Sequence, residues 1–280
     1  MQPADAATAL AREREIMNFY APHFRTFHLF NSLTYERERK WLAGWIIKTL
    51  RKSGADWTQL SILETGSSTG NLLEHLSNAG CKKLAGLDIA EEMVAEARKH
   101  VPSARFIHGS IESHDFGGEQ FDVLLATFTL HHMHEPRAFF EMADRILKPG
   151  GWIFISEYNA TGWGNAGWTR SVIEFLVAPL RFLVKIKNHK QLTSQHNIPL
   201  MFNPSHRLLS YSDIRSAMTH PGDFTWSRLT KGLLTLAFNY ALVPQSNLDQ
   251  AIFNIFSVLD LVVKPFRAGG FQCIIGRHKK

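Results

Sequence analysis

The sequence predicts an α/β protein with a doubly wound, largely parallel sheet. Between residues 61 and 159, short apolar runs alternate with amphipathic helical patterns, as is typical of parallel strands joined by crossover helices. The first run, 61–65, leads into a turn of small residues that contains Gly66 and Gly70. A Lys-Pro-Gly-Gly stretch at 148–151 then stops the last helical pattern before another apolar run.

Each element follows from a local pattern. Strands are predicted near 61–65, 84–88, 104–108, 121–127 and 151–157, and helices near 70–79, 91–100 and 136–147. Helix 91–100 has apolar residues at Met93, Val94 and Ala97, and Pro102 ends it. Helices are also expected at 4–18, 35–52 and 212–218, and a last strand at 271–275. No strand pattern is evident between 159 and 271.

Size and composition are those of a globular protein. The chain has 280 residues, of which 45% are hydrophobic and 20% charged, enough for one large or two small domains. Cys81 and Cys273 are too few for a disulfide framework, which favours a reducing cytoplasm. The first residues carry charges, so a signal peptide is not expected. The apolar runs 232–243 and 252–263 are shorter than the roughly 18 residues of a membrane span.

Charge is unevenly divided along the chain. Residues 1–159 hold 17 Lys and Arg against 20 Asp and Glu, a net charge of −3, whereas residues 160–280 hold 14 against 5, a net charge of +9. No acidic residue occurs between Phe175 and Ser212. The positive charge of residues 160–280 indicates either contact with an anionic substrate or membrane surface, or a basic face exposed to solvent.

The turn and the next strand together suggest a nucleotide cofactor. Asp88 closes the second predicted strand, where a carboxylate can accept hydrogen bonds from both ribose hydroxyls of an adenosine group. Nicotinamide dehydrogenases use the same arrangement. Their turn reads Gly-x-Gly-x-x-Gly, however, whereas this one reads Gly66-x-x-x-Gly70.

At this point the chain resembles the class I S-adenosylmethionine-dependent methyltransferases. Residues 64–70 resemble that family's acidic-x-Gly-x-Gly-x-Gly loop, with Ser68 in place of the middle glycine. Residues 121–133 resemble its fourth-strand motif, 145–152 the stretch before strand five, and 269–277 the final antiparallel strand. The resemblance implies a Rossmann-like, seven-stranded sheet with an antiparallel last strand and helical cap insertions, and S-adenosylmethionine as the cofactor.

The same resemblance implies a set of cofactor-binding residues. Glu64 would border the methionine portion, Asp88 would hold the ribose, and Ile89 would pack on the adenine. Without the resemblance, the pattern at Glu64 also indicates a strand end that faces solvent, and the pattern at Ser110 and Ile111 also indicates the start of a helix. The full set carried over is Glu64, Gly66, Ser67, Ser68, Gly70, Asp88, Ile89, Ser110, Ile111, Thr127 and Phe128.

Three side chains are candidates for catalysis. His131 and His132 follow the fourth strand, where family members place the substrate, and a neutral imidazole can accept a proton from a hydroxyl. They equally fit capping or packing histidines. Tyr20 lies in an aromatic segment that the resemblance implies is a lid, where it would bond the cofactor or substrate; packing in the core fits it equally. No metal site is expected, since cysteines and carboxylates at ligand spacing are lacking.

The region after the fifth strand is expected to select the substrate. Trp163, Trp168 and His206 would line a helical cap, and an apolar cap implies a hydrophobic small molecule. The apolar stripe within 252–263 fits core packing, a homodimer contact or peripheral membrane contact. The predicted division is therefore an N-terminal lid over 1–57, a cofactor core over 58–160, a cap over 161–211, and the rest of the core over 212–280 with a helical insertion at 231–267.

The predicted function is methyl transfer from S-adenosylmethionine to oxygen or carbon of a hydrophobic natural-product, quinone or lipid-like molecule. One alternative keeps the fold and cofactor but catalyses a cyclisation or rearrangement. A second is nucleic-acid methylation, which a sequence pI near 9.4 favours. The lack of an Asn/Asp-Pro-Pro-Tyr motif after the fourth strand argues against nucleic acid as a partner. A non-enzymatic binding module is the third.

Overall fold

The computed structural model describes residues 3–25, 33–161, 171, 175, 208–231, 269 and 271–279. Its strands are β1 (Ser61–Thr65), β2 (Lys83–Asp88), β3 (Arg105–His108), β4 (Phe121–Thr127), β5 (Leu147–Tyr158), β6 (Phe224–Lys231) and β7 (Phe271–His278). Its helices are α1 (Pro3–Tyr20), α2 (Leu33–Lys52), α3 (Asn71–Asn78), α4 (Glu91–His100), α5 (Arg137–Ile146) and α6 (Tyr211–Ala217). Short 3-10 turns occur at Ala21–His23, Leu130–His132 and Pro221–Asp223.

The strands form one mixed sheet in the order β3-β2-β1-β4-β5-β7-β6. The first five run parallel, and β7 is antiparallel to both β5 and β6. The order reverses between β1 and β4, so their carboxyl ends form the crevice where open α/β sheets bind ligands. The doubly wound sheet with an antiparallel last strand is confirmed.

Helices cover both faces of the sheet. On one face, α5 and α6 pack against Leu124, Ile153 and Ile274. On the other, α2, α3 and α4 pack against a set that includes Ile62, Val123 and Phe154. The helices α2 to α5 bury apolar stripes against the sheet. In α5 the buried residues are Phe139, Phe140, Met142, Ala143 and Ile146.

Helix charges and caps agree with the observed bounds. α4 has Glu91 and Glu92 in its first turn and basic residues in its last, which complements the helix dipole. α6 begins at a capping box, in which the Asp213 amide donates to Ser210 Oγ and the Ser210 amide donates to Asp213 Oδ2. Within the described ranges, no helix combines the length and apolar character needed to cross a bilayer.

The amino ends of the central strands are tied by one polar network. Asp122 Oδ2 accepts hydrogen bonds from the Ser61 amide at 2.8 Å, from Ser61 Oγ at 2.7 Å and from Lys148 Nζ at 2.9 Å. Burial acts to raise the pKa of Asp122, but these hydrogen bonds and the lysine charge outweigh it and hold the pKa below its usual value. The network links β1, β4 and β5 away from the crevice.

Strand β6 contradicts the expectation of no strand between 159 and 271. Its residues alternate, since Phe224 is buried while Thr225 and Ser227 are exposed. The strand lies at the sheet edge and pairs with β7 from Phe224 to Lys231. Five of its eight residues are polar, and Thr225 and Ser227 meet water, which weakens the apolar signal of the strand. Trp163, Trp168, His206 and the insertion after β6 lie outside the described residues.

Candidate active site

The turn after β1 has the backbone shape expected of a ligand cradle. Gly66, Ser68 and Gly70 all have left-handed backbone, with φ values of 64°, 49° and 79°. A Cβ at Gly66 would meet Thr129 Oγ1 at 2.4 Å, so only glycine fits there. Ser68, which replaces the family's glycine, therefore keeps a conformation that favours glycine. Ser67 Oγ is buried and has no hydrogen-bond partner among the described residues.

Asp88 lies at the carboxyl end of β2, beside this turn. Its Oδ2 accepts from the Ser68 amide at 2.7 Å, and its Oδ1 accepts from the Ala90 amide at 2.9 Å. Burial raises the pKa of Asp88, and the two amides oppose that shift. A carboxylate has about four acceptor positions, so each oxygen keeps capacity for another donor. The aspartate both orders the turn and faces the crevice.

Glu64 forms a buried polar chain with Thr127 and Arg39. Arg39 Nη1 donates to Thr127 Oγ1 at 2.6 Å, and Thr127 Oγ1 donates to Glu64 Oε1 at 2.7 Å. The other oxygen, Oε2, is buried with no hydrogen-bond partner among the described residues. Burial raises the pKa of Glu64 to about 7, although Arg39 and Thr127 act to lower it. Glu64 therefore lies inside the crevice rather than at a solvent-facing strand end.

Glu157 anchors the loop after β4. Its Oε1 accepts from the amides of Thr129 at 2.8 Å and Leu130 at 2.6 Å, and its Oε2 lies 2.7 Å from His131 Nδ1. Glu157 is fully buried, and His131 is only 8% exposed. One carboxyl group at the end of β5 thus fixes both the backbone of the 3-10 turn and the imidazole that it carries.

The two histidines have different partners. His132 Nδ1 lies 2.8 Å from Glu13 Oε1 in an ion pair that connects the turn to α1. The His131 and His132 rings are adjacent, with centroids 4.0 Å apart. Within the described parts of the chain, no three His, Cys, Asp or Glu residues come together as a metal-binding group.

An aromatic platform lies beside these histidines, made of Phe128, Tyr158 and Phe271. The three ring centroids are 5.1 to 5.5 Å apart. His131 meets Tyr158 edge to face at 5.3 Å, and the Arg39 guanidinium lies over Phe128 at 5.1 Å. Phe128 has a φ of 55°, a strained value for a large side chain, and its amide donates to Ser156 O at 2.7 Å.

The N-terminal elements lie against the turn and α4. Tyr20 is buried in a cluster with Phe24, Ala90 and Met93, and burial raises the pKa of its phenol. The structure thus places Tyr20 next to the Asp88 end of the crevice, and its role in catalysis stays a prediction. Arg25 donates to Thr69 O and Thr69 Oγ1, so the chain after α1 is fastened to the glycine turn.

The remaining predicted residues lie around the ends of β2 and β3. Ile89 is half-buried, and its carbonyl contacts His108 Nε2 at 3.0 Å. Ser110 is half-buried, and its Oγ accepts from the Glu112 amide at 3.2 Å, as a capping serine does. Ile111 packs against the α5 side of the core. Ser110 and Ile111 therefore have local structural roles beside the predicted contact with adenine.

Arg39 and Glu157 were missed by the sequence interpretation, although a signal for each was present. Arg39 stands in a charged run but shares the helical spacing of Leu42 and Ile46, the buried face of α2. Glu157 follows Ile153 and Ile155 at strand spacing on the buried face of β5. A charge on an apolar face has to be paired, which makes such positions candidates for function.

Residues 63–155 match the family described as a methyltransferase domain. The match begins in β1 and ends in β5, and it includes the glycine turn, Asp88 and both histidines.

Curated relatives match part of the chain. The chain is 30% identical over 116 residues to the mitochondrial ubiquinone biosynthesis O-methyltransferase of Dictyostelium discoideum, with 36% of each protein covered. It is 31% identical over 110 residues to the demethylmenaquinone methyltransferase of Chlorobaculum tepidum, with 39% of this chain and 46% of the relative covered. The alignments therefore span less than half the length of these two relatives.

A similar fold occurs in the plantazolicin methyltransferase BpumL, solved with SAH and a pentazolic desmethylPZN analog. The two structures superpose with a TM-score of 0.54 at 16% identity, over 96% of this chain and 91% of the other. That likeness concerns the fold alone, whereas the match over 63–155 is one of sequence family. Residues 63–155 are therefore similar in sequence to a methyltransferase domain, and the chain shares its fold with a solved methyltransferase.

Proposed function

We propose that this protein transfers a methyl group from S-adenosylmethionine to a hydrophobic small molecule. The observation that carries the proposal is a pair of buried carboxyl groups, Glu64 and Asp88, on either side of a left-handed turn at the sheet crevice. Burying two carboxyl groups costs free energy, so such a pair is expected where a polar ligand completes the hydrogen bonds of the carboxyl oxygens.

The residues present fit the cofactor. Asp88 keeps acceptor capacity for ribose hydroxyls, while Ser67 Oγ and Glu64 Oε2 are buried polar atoms that lack a partner among the described residues. Arg39 adds a cation near Glu64 that suits a carboxylate. When bound, S-adenosylmethionine supplies a methyl group on a positively charged sulfur, so the protein's main task is to position the acceptor.

The acceptor side supports a small, apolar substrate. Phe128, Tyr158 and Phe271 form an aromatic surface next to Thr127, and Thr127 bonds directly to Glu64. A flat apolar ring can pack on such a surface. The relatives named for ubiquinone and menaquinone methylation make quinone precursors the first compounds to try.

Cofactor binding tests the first half of the proposal. Calorimetry with S-adenosylmethionine should show binding at one site, and Asp88→Ala should weaken it by about 1–3 kcal/mol through lost hydrogen bonds. Asp88→Asn keeps one acceptor oxygen and should lose less. Glu112→Gln, an exposed carboxylate after β3, is the control and should leave affinity unchanged. Wild-type protein without measurable affinity would refute the proposal and favour a binding module.

Product analysis tests the second half. Incubation with S-adenosylmethionine and short-chain prenyl catechols should give products heavier by one methylene group, together with S-adenosylhomocysteine. A rearranged product of unchanged mass, formed without S-adenosylhomocysteine, would favour cyclisation instead. Methylation of RNA in a parallel assay, with binding that falls steeply as salt rises, would favour the nucleic-acid alternative.

A further inference from the structure

We propose that Glu157 is a positioning residue that makes His131 a general base, and that the acceptor is accordingly an aromatic hydroxyl still carrying its proton. This inference rests on the proposed methyl transfer and adds to it a base and a substrate class. It is carried by the contact of 2.7 Å between Glu157 Oε2 and His131 Nδ1, made by a fully buried carboxyl group.

Glu157 sets which ring nitrogen of His131 holds the proton. Its Oε1 accepts hydrogen bonds from two backbone amides, and we assign the group as a carboxylate, so that Oε2 is an acceptor as well. Nδ1 of His131 must then donate to Oε2. In the neutral ring this leaves Nε2 as the unprotonated nitrogen, which is the one able to take up a proton.

The other histidine is held differently. His132 is paired with Glu13 on α1 and is more exposed, with 24% of its side chain accessible. Its position depends on the N-terminal helix, whereas His131 is fixed by β5, a central strand of the sheet. A base has to be held within hydrogen-bond reach of its substrate, which favours the histidine on the rigid element.

The surroundings of His131 indicate an aromatic acceptor. Its ring meets Tyr158 edge to face, and Tyr158 packs on Phe128 and Phe271. Phe128 directly follows Thr127, so the aromatic platform adjoins the polar chain that ends at Glu64. A planar ring stacked there would present its hydroxyl between the histidine and the cofactor side of the crevice.

The proposed step balances as follows. The acceptor oxygen forms a bond to the methyl carbon while the carbon–sulfur bond breaks, and sulfur keeps that electron pair. The hydroxyl proton passes to Nε2 of His131, and Glu157 stabilises the imidazolium. The products are a methyl ether, a neutral thioether and one proton, later released to water. A neutral amine or an ionised thiolate has its attacking lone pair available and needs no such base, whereas a protonated hydroxyl does need one.

Glu157→Gln separates positioning from structural support. The glutamine carbonyl oxygen can still accept from the amides of Thr129 and Leu130, so the turn keeps its anchor. Its NH2 group, however, donates to Nδ1 and forces the proton of His131 onto Nε2. The side chain keeps its size, whereas the imidazole loses its accepting nitrogen. Glu141→Gln, on an exposed face of α5, is the matched control.

Kinetics use two probes, a prenyl catechol and its nitro analogue, at a pH where only the nitro compound is ionised. For the catechol, Glu157→Gln and His131→Gln should each lower kcat about 10²-fold with little change in KM. For the ionised analogue, the loss should be less than about threefold, since no proton remains to be removed. Affinity for S-adenosylmethionine should be unchanged in both variants. Equal losses with both probes would reduce Glu157 to a structural role and overturn the proposal.

Nitrogen-15 NMR of histidine-labelled full-length protein gives a readout independent of turnover. His131 should carry its proton on Nδ1 in the wild type and on Nε2 in Glu157→Gln. The opposite wild-type tautomer would overturn the assignment of the base. If S-adenosylmethionine binds but neither catechol is methylated, the aromatic hydroxyl is wrong as acceptor class. If S-adenosylmethionine does not bind, the underlying methyl transfer itself is wrong.

Discussion

Glu64 makes the stability of the folded protein depend on pH. Its pKa rises from an ordinary 4.5 to about 7, chiefly through burial. Protons therefore bind more tightly to the folded chain than to the unfolded one. The resulting stabilisation is complete below pH 4.5 and is lost as pH rises through about 7.

Glu64→Gln should remove this dependence. Without cofactor, the free energy of unfolding of the wild type should fall by roughly 3 kcal/mol relative to Glu64→Gln as pH rises from the lower pKa to the upper one. Urea denaturation across this pH range measures the difference. Stability curves that stay parallel would show that Glu64 titrates alike in the folded and unfolded chains.

Gly66 allows a second test at a single residue. Gly66→Ala should destabilise the fold by about 2–5 kcal/mol, because a Cβ there combines left-handed strain with a collision against Thr129. Gly117 has a similar φ of 58° but open space around it, so Gly117→Ala should cost only about 1–2 kcal/mol. The difference between the two unfolding energies isolates the collision. Equal costs would mean that the Thr129 side chain moves aside.

Ser68 shows what a sequence motif does and does not specify. The loop's resemblance marks this position as a departure, and the structure shows that the departure is chemical rather than conformational, since φ stays left-handed. Serine accepts that strain, helped by the bond from its amide to Asp88. Motif reading finds the position, but it does not reveal the backbone bond that stabilises it.

At the scale of elements, α2 contributes to the site through one buried cation. Arg39→Met keeps the side chain's length and apolar stem but removes the hydrogen bond to Thr127 and the charge near Glu64. Stability should fall by about 1.5–3 kcal/mol, the usual cost for a bond to a charged group. Lys40→Met, on the exposed side of the same helix, is the control and should stay within about 0.5 kcal/mol. Thermal or urea unfolding of both variants measures this, and equal losses would show that the buried hydrogen bond of Arg39 adds no stability.

The elements that could be predicted from sequence are those with a strong period. β1 and β4 have the predicted bounds, and α4 begins and ends where its charges and Pro102 indicate. β6 was missed because it is an edge strand with polar residues exposed to water. The pairing of Glu157 with the turn after β4 also could not be predicted from local sequence patterns. It joins residues 26 to 28 apart, which only the sheet brings together.

For the whole molecule, ligand binding should be visible as stability. A ligand that binds only the folded chain adds about 2.7 kcal/mol at a concentration 100 times its Kd. S-adenosylmethionine should therefore raise the unfolding midpoint of the wild type, as measured by thermal denaturation. Asp88→Ala should show a smaller rise at the same concentration, because its affinity is lower. Identical shifts in both proteins would place the ligand away from the end of β2.

The network of Asp122, Ser61 and Lys148 has a consequence for the design of variants. β1 separates it from the crevice by four residue steps, about 13 Å at 3.3 Å per residue. Sites more than about 7–10 Å apart that share no partner usually contribute additively. Substitutions at the two ends should thus act additively, with coupling below about 0.5 kcal/mol. One end of the sheet can be altered to strengthen the scaffold while the chemistry at the other evolves separately.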